Sequence, residues 1–107
     1  MMKIRCVQMQ VFPKEVERNA LFVLSQMNQA ELENVDLLVF PELCISGYLI
    51  GDFWEYLAFL KECQYWNQKI IEATSSRKIT VIFGSLLIDE TKKGEDGRVR
   101  KYNGAIV

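Results

Sequence analysis

Hydrophobic and polar positions change their period along this chain, and each change predicts a different element. Between Ile4 and Val11 the pattern alternates, with Val7, Met9 and Val11 on one face and Ile4, Cys6, Gln8 and Gln10 on the other, which predicts a strand over 4–11. After Pro13 the spacing becomes helical: Val16, Ala20, Val23, Leu24 and Met27 fall on one side, with Lys14, Glu15, Glu17 and Arg18 among the polar residues between them. Leu37 to Pro41, introduced by Asp36, is apolar throughout, as expected of a parallel strand buried on both faces and ended by its proline. A turn follows at Ser46 and Gly47.

A second helix is predicted from Asp52 to about Thr74, because Asp52 stands where an N-cap is needed and Glu55, three residues on, completes a capping box. Tyr56, Phe59, Leu60, Cys63, Trp66, Ile70 and Ala73 form one stripe, which reads as core. Residues 79–88 read as a third strand, apolar on both faces and interrupted by Gly84, where another backbone or side chain can approach closely. Residues 89–100 are charged and carry Gly94 and Gly97, the pattern of a solvated loop or hairpin tip. From Tyr102 a further strand begins, and the chain stops in the apolar run Ala105, Ile106 and Val107 without a turn signal, so the sequence reads as cut. The order of elements is that of an α/β protein. Strands apolar on both sides need two covers, helices on one face and further protein on the other.

Composition narrows the function. The 107 residues make one small domain at most, half hydrophobic and a quarter charged, with the balance of a folded chain. Thirteen basic against fourteen acidic residues give a net charge of -1, too little positive charge for nucleic acid or an anionic membrane as principal partner. There is no apolar run long enough to span a bilayer and no secretion signal. Cys6, Cys44 and Cys63 form no CxxC pair and are odd in number, which suggests reduced thiols in the cytoplasm and no metal site. The chain has no histidine, so Ser-His-Asp and Cys-His catalysis are excluded within it. Carboxylate, thiol, lysine and tyrosine chemistry remain.

Glu42 directly follows the buried run, at the C-terminal end of a strand where α/β folds place ligands. Partial desolvation there would raise its pKa toward neutrality, as a general base requires. A glutamate capping the next turn or pairing with a surface lysine fits the position equally. Tyr48, just past Gly47, can fold back to offer a phenol to the same crevice or can simply pack. Cys44 lacks a neighbour that would activate it and reads as a small buried hydrophobe, and Lys101 reads as the end of a solvated loop. The turn after the first strand, 12–19, has no glycine, which removes a dinucleotide fingerprint.

These residues together resemble the N-terminal part of the nitrilase, or carbon-nitrogen hydrolase, superfamily. Gln8 lies in the first strand and Asn19 in the helix after it; Asp36-Leu37-Leu38-Val39-Phe40-Pro41-Glu42-Leu43 is similar to the family strand that carries a catalytic glutamate; Ser46-Gly47-Tyr48 follows, and Tyr102-Asn103-Gly104-Ala105 is similar to a later strand. Gly47-Tyr48 followed by Asp52-Phe53 and a long aromatic helix resembles, within that superfamily, the amidase domains of glutamine-dependent NAD synthetases.

The resemblance implies an α-β-β-α sandwich and a Glu-Lys-Cys mechanism in which a thiolate attacks an amide, a lysine stabilises the oxyanion and the glutamate moves protons. Glu42 takes the glutamate's role and Tyr48 that of a substrate contact in the glutamine pocket. The lysine is expected shortly after Val107 and the cysteine much further on, so 1–107 alone is expected to be inactive. The resemblance implies no cofactor in this segment, ATP and deamido-NAD at a separate ATP-dependent synthetase domain, and a homo-oligomeric parent. Two other readings stay open: a free-standing amidase acting on another amide or nitrile, and a non-enzymatic α/β interaction module in which Glu42 caps a turn.

Overall fold

The computed structural model describes residues 1–48, 50–93 and 99–107; at 54, 90–93 and 99–101 the description is of the backbone. Four strands and two long helices follow one another as β1 (Ile4–Cys6), α1 (Val16–Leu32), β2 (Leu37–Val39), a 3-10 turn (Gly51–Glu55), α2 (Leu57–Thr74), β3 (Thr80–Lys93) and β4 (Val99–Ile106). They form one sheet in the order β1-β2-β3-β4, parallel across the first three strands and antiparallel between β3 and β4. The parallel pairs are joined through α1 and α2, as a crossover between parallel strands requires.

The register divides the sheet into two faces. Arg5, Leu38 and Val81 align on one side, and Leu38 and Val81 are buried beneath the helices with Phe40 and Phe83. Val16, Ala20, Val23, Met27 and Ala30 of α1 and Phe59, Cys63 and Ile70 of α2 complete this core. Ile4, Leu37 and Thr80, then Cys6, Val39 and Ile82, align on the opposite face. Among the described residues no helix covers that side: Ile4 and Cys6 are exposed, and Leu37, Val39 and Ile82 are half-buried.

Four expectations change. The first strand is shorter than 4–11: its ladder ends soon after Cys6, the Val7 amide still donating to the Val39 carbonyl at 2.8 Å, although the in-out alternation continues to Val11. The five-residue buried run contributes three residues to β2, because Pro41 has no amide for a ladder and Glu42 leaves the plane of the sheet. Asp52 does not cap the second helix. It lies inside the 3-10 turn, which seats Phe53 against the rings of Tyr56 and Phe59 at 5.0 and 5.3 Å, while extended Tyr56 resets the chain and α2 begins at Leu57 without a side-chain cap. Finally, of the stretch expected over 89–100 as a solvated loop or hairpin tip, 89–93 continue β3 and 99–100 begin the antiparallel β4, while its Gly94 and Gly97 lie outside the described residues.

Asn19 is buried and ties two loops to α1. Its Oδ1 accepts from the Phe12 amide at 2.9 Å, and its Nδ2 donates to the carbonyls of Phe12 and Ile45 at 2.8 and 2.9 Å. The Lys14 amide donates to the Ser46 carbonyl at 3.0 Å beside this clasp. A Cβ on Gly47, which has φ +86°, would meet the Pro13 backbone at 2.7 Å. The segment after β2 is thereby fixed to the β1–α1 connection as well as to its own strand.

Candidate active site

Glu42 enters the site because three backbone features turn the chain there. Pro41 ends β2, Leu43 takes the left-handed conformation at φ +46°, and Gly84 of β3 leaves room beneath. A Cβ on Gly84 would lie 2.6 Å from the Leu43 amide nitrogen and 2.7 Å from the Glu42 Cα, so only glycine lets this segment rest directly on β3. The close approach expected at Gly84 from the sequence is therefore made by the segment that carries Glu42.

Both carboxylate oxygens of Glu42 are engaged by side chains. The Tyr48 hydroxyl donates to Oε2 at 2.6 Å, and the Asn103 side-chain amide donates to Oε1. Glu42 and Asn103 line a cleft of about 340 Å³ with Phe40, Ile82, Gly84, Gly104 and Ala105. The cleft lies on the sheet face that the helices leave open. Its lining sets one ionisable acid and one carboxamide among apolar residues and glycines, an arrangement suited to orienting a small polar substrate beside a proton acceptor.

The electrostatics correct one expectation. Glu42 is exposed, and its pKa is lowered from the ordinary carboxylate value, first by the Tyr48 hydrogen bond and then by that of Asn103, against a smaller opposing effect of desolvation. The expected rise toward neutrality does not occur, because two donors favour the charged form more than partial burial disfavours it. Tyr48 responds in the opposite sense, its pKa raised mainly by donating to the Glu42 carboxylate.

Cys44, two residues from Glu42, points the other way. It is fully buried, its thiol donates to the Gly84 carbonyl at 3.4 Å, and burial pushes its pKa up to about 11. That is a packing cysteine. The side chain of Lys101 lies outside the described residues. Among the described residues no group of three or more Cys, Asp or Glu side chains is disposed to hold a metal ion. In the sequence Asn103 stands out only as part of a family-like strand; the signal that could have found it is a carboxamide beside Gly104, on a strand pairing with the one that carries Gly84.

The carbon-nitrogen hydrolase family model matches residues 3–107. The chain belongs to the carbon-nitrogen hydrolase family. Two curated relatives are both glutamine-dependent NAD(+) synthetases. That of Thermotoga maritima is 34% identical over 92 residues, covering 84% of this chain and 16% of the relative; that of Acinetobacter baylyi is 30% identical over 105 residues, covering 98% and 18%. The chain therefore spans less than a fifth of the length of these relatives. In fold it is similar to an amidase of the nitrilase superfamily from Nesterenkonia sp. AN1, with a TM-score of 0.73 and 18% identity, covering 96% of this chain and 44% of the amidase. The sheet with helices on one face is thus the expected portion of the nitrilase-type sandwich.

Proposed function

We propose that this chain supplies the general base and one wall of the substrate pocket in a carbon-nitrogen hydrolase that hydrolyses glutamine and passes ammonia to an ATP-dependent synthetase domain, where deamido-NAD is amidated. The observation that carries the reading is the Glu42 carboxylate, set at the C-terminal end of β2 between the Tyr48 phenol and the Asn103 amide, in a cleft on the open face of the sheet. The two synthetase relatives supply the substrate class.

In this reading Glu42, ionised at neutral pH, accepts the proton of a cysteine thiol contributed by the rest of the domain. The thiolate adds to the amide carbon while a lysine, also from outside 1–107, stabilises the oxyanion. Glu42 then returns the proton to the leaving nitrogen, the C–N bond breaks, and water hydrolyses the thioester with the same carboxylate as base. Tyr48 has two calls on its phenol, Glu42 and the substrate, and its exposure leaves it accessible to both. This segment needs no cofactor of its own; ATP and deamido-NAD belong to the synthetase domain of a homo-oligomeric parent. The three unpaired cysteines fit a reducing, cytoplasmic setting.

Glu42→Gln in the intact protein tests this. Glutamine-dependent synthesis is expected to fall by about 10³-fold or more, while synthesis from added ammonia persists. Loss of both reactions would make Glu42 structural. Hydrolysis of a different amide, with no amidation of deamido-NAD, would assign the protein to the free-standing amidases. The 107-residue chain by itself is expected to release no ammonia from glutamine, because it lacks the covalent route.

A further inference from the structure

Asn103 has no part in the chemistry above, yet it grips the oxygen of Glu42 that Tyr48 leaves free. The geometry points to Asn103 as a positioning residue for Glu42, holding the carboxylate in one orientation across the cleft. This rests on the reading of Glu42 as the general base.

Three observations carry it. The first is independence of origin. Tyr48 lies six residues from Glu42 on the same connection, whereas Asn103 lies sixty-one residues away on β4, beyond β3 in the sheet order. The ladder pairs Gly84 with Ala105 and Leu86 with Asn103, so Asn103 shares a sheet face with the glycine on which the Glu42 backbone rests. A fixed strand is thereby the reference against which the catalytic carboxylate is oriented.

The second is chemical type. A carboxamide donates a hydrogen bond without bringing a positive charge, so it can orient a carboxylate without the deep loss of basicity an ammonium or guanidinium would cause. It does not titrate, and so adds no limb of its own to a pH profile. The third is exposure. Glu42 is not walled in by packing, so hydrogen bonds must fix its side-chain angles if it is to meet a thiol in one geometry. Among the described residues the titratable group set against Glu42 is Tyr48, and the hydrogen bonds from Tyr48 and Asn103 both lower its pKa.

Asn103→Ala and the isosteric Asn103→Asp in the intact protein test the assignment, with Glu42→Gln alongside. In Asn103→Ala, kcat for glutamine is expected to fall about tenfold with KM within about twofold, and ammonia-driven synthesis to be unchanged. The acid limb of the kcat profile is expected to move to higher pH, further in Asn103→Asp than in Asn103→Ala, because aspartate replaces a donor with a like charge. The carboxyl carbon of Glu42, followed by NMR, should titrate in the same order. A limb and a carboxyl titration unmoved in both variants would overturn the assignment, as would a fall in kcat without either shift. Full glutamine-dependent activity in Glu42→Gln would instead remove the reading of Glu42 as base.

Discussion

Glu42 and Tyr48 form a pair whose pH behaviour follows from the opposite displacement of their two pKa values. Glu42 is held below its ordinary 4.5, so its contribution to the pair is complete above that value and is lost as pH falls through the lower, folded one. Tyr48 is held above its ordinary 10.0, so its contribution is complete below that value and is lost as pH rises through the higher, folded one. The pair is therefore intact across the window between 4.5 and 10.0. Tyr48→Phe removes the larger of the two influences that lower Glu42, and the Glu42 carboxyl is expected to titrate at higher pH than in the unaltered protein. Both groups face solvent, so this variant should change the titration far more than the stability. Carbon-13 NMR of Glu42 over the acid range checks it; an unmoved titration would mean that the hydrogen bond does not persist in solution.

At the level of elements, the contact between β3 and the segment after β2 determines where the carboxylate stands. A methyl group at position 84 would overlap the backbone of residues 41–43, which cannot yield as a flexible side chain would. Gly84→Ala is expected to lower stability by about 1–3 kcal/mol and to weaken catalysis in the intact protein by lifting Glu42 away from Asn103. A denaturant melt with an unchanged midpoint would show that the segment is not seated on β3. This contact was legible in the sequence as a glycine interrupting an apolar run, and so was the Pro41-Glu42 step, because chain-breaking residues act through their own backbone. The Asp52 cap was not, since a capping pattern is local while the packing of Phe53 against Tyr56 and Phe59 places the helix start at Leu57. The role of Asn103 depends on strand register, and that of Asn19 on two loops meeting; neither register nor loop meeting leaves a mark on neighbouring positions. The expected rise in the Glu42 pKa failed for the same reason, as it allowed for burial and could not foresee two donors.

The whole molecule is asymmetric: one sheet face is closed by α1 and α2, and the other carries the cleft, the exposed Ile4 and Cys6 and the half-buried Leu37, Val39 and Ile82. Strands apolar on both sides led to the expectation of two covers, of which the structure shows the helical one; which side the helices take was set by the crossovers. Among the described residues no helix is long and apolar enough to cross a membrane. The same asymmetry places the three cysteines at very different depths. Cys6 is open to solvent, whereas burial pushes Cys44 and Cys63 up to about 11 and about 12. At neutral pH the two buried residues are held as thiols, and they lie out of reach of a reagent. Brief treatment of the 107-residue chain with a maleimide is therefore expected to add one label, at Cys6, as read by mass spectrometry; prompt labelling at Cys44 would contradict the packing. Slower capture of the other two would then clock spontaneous excursions of the helical layer, giving the protein an intrinsic stopwatch for its own breathing.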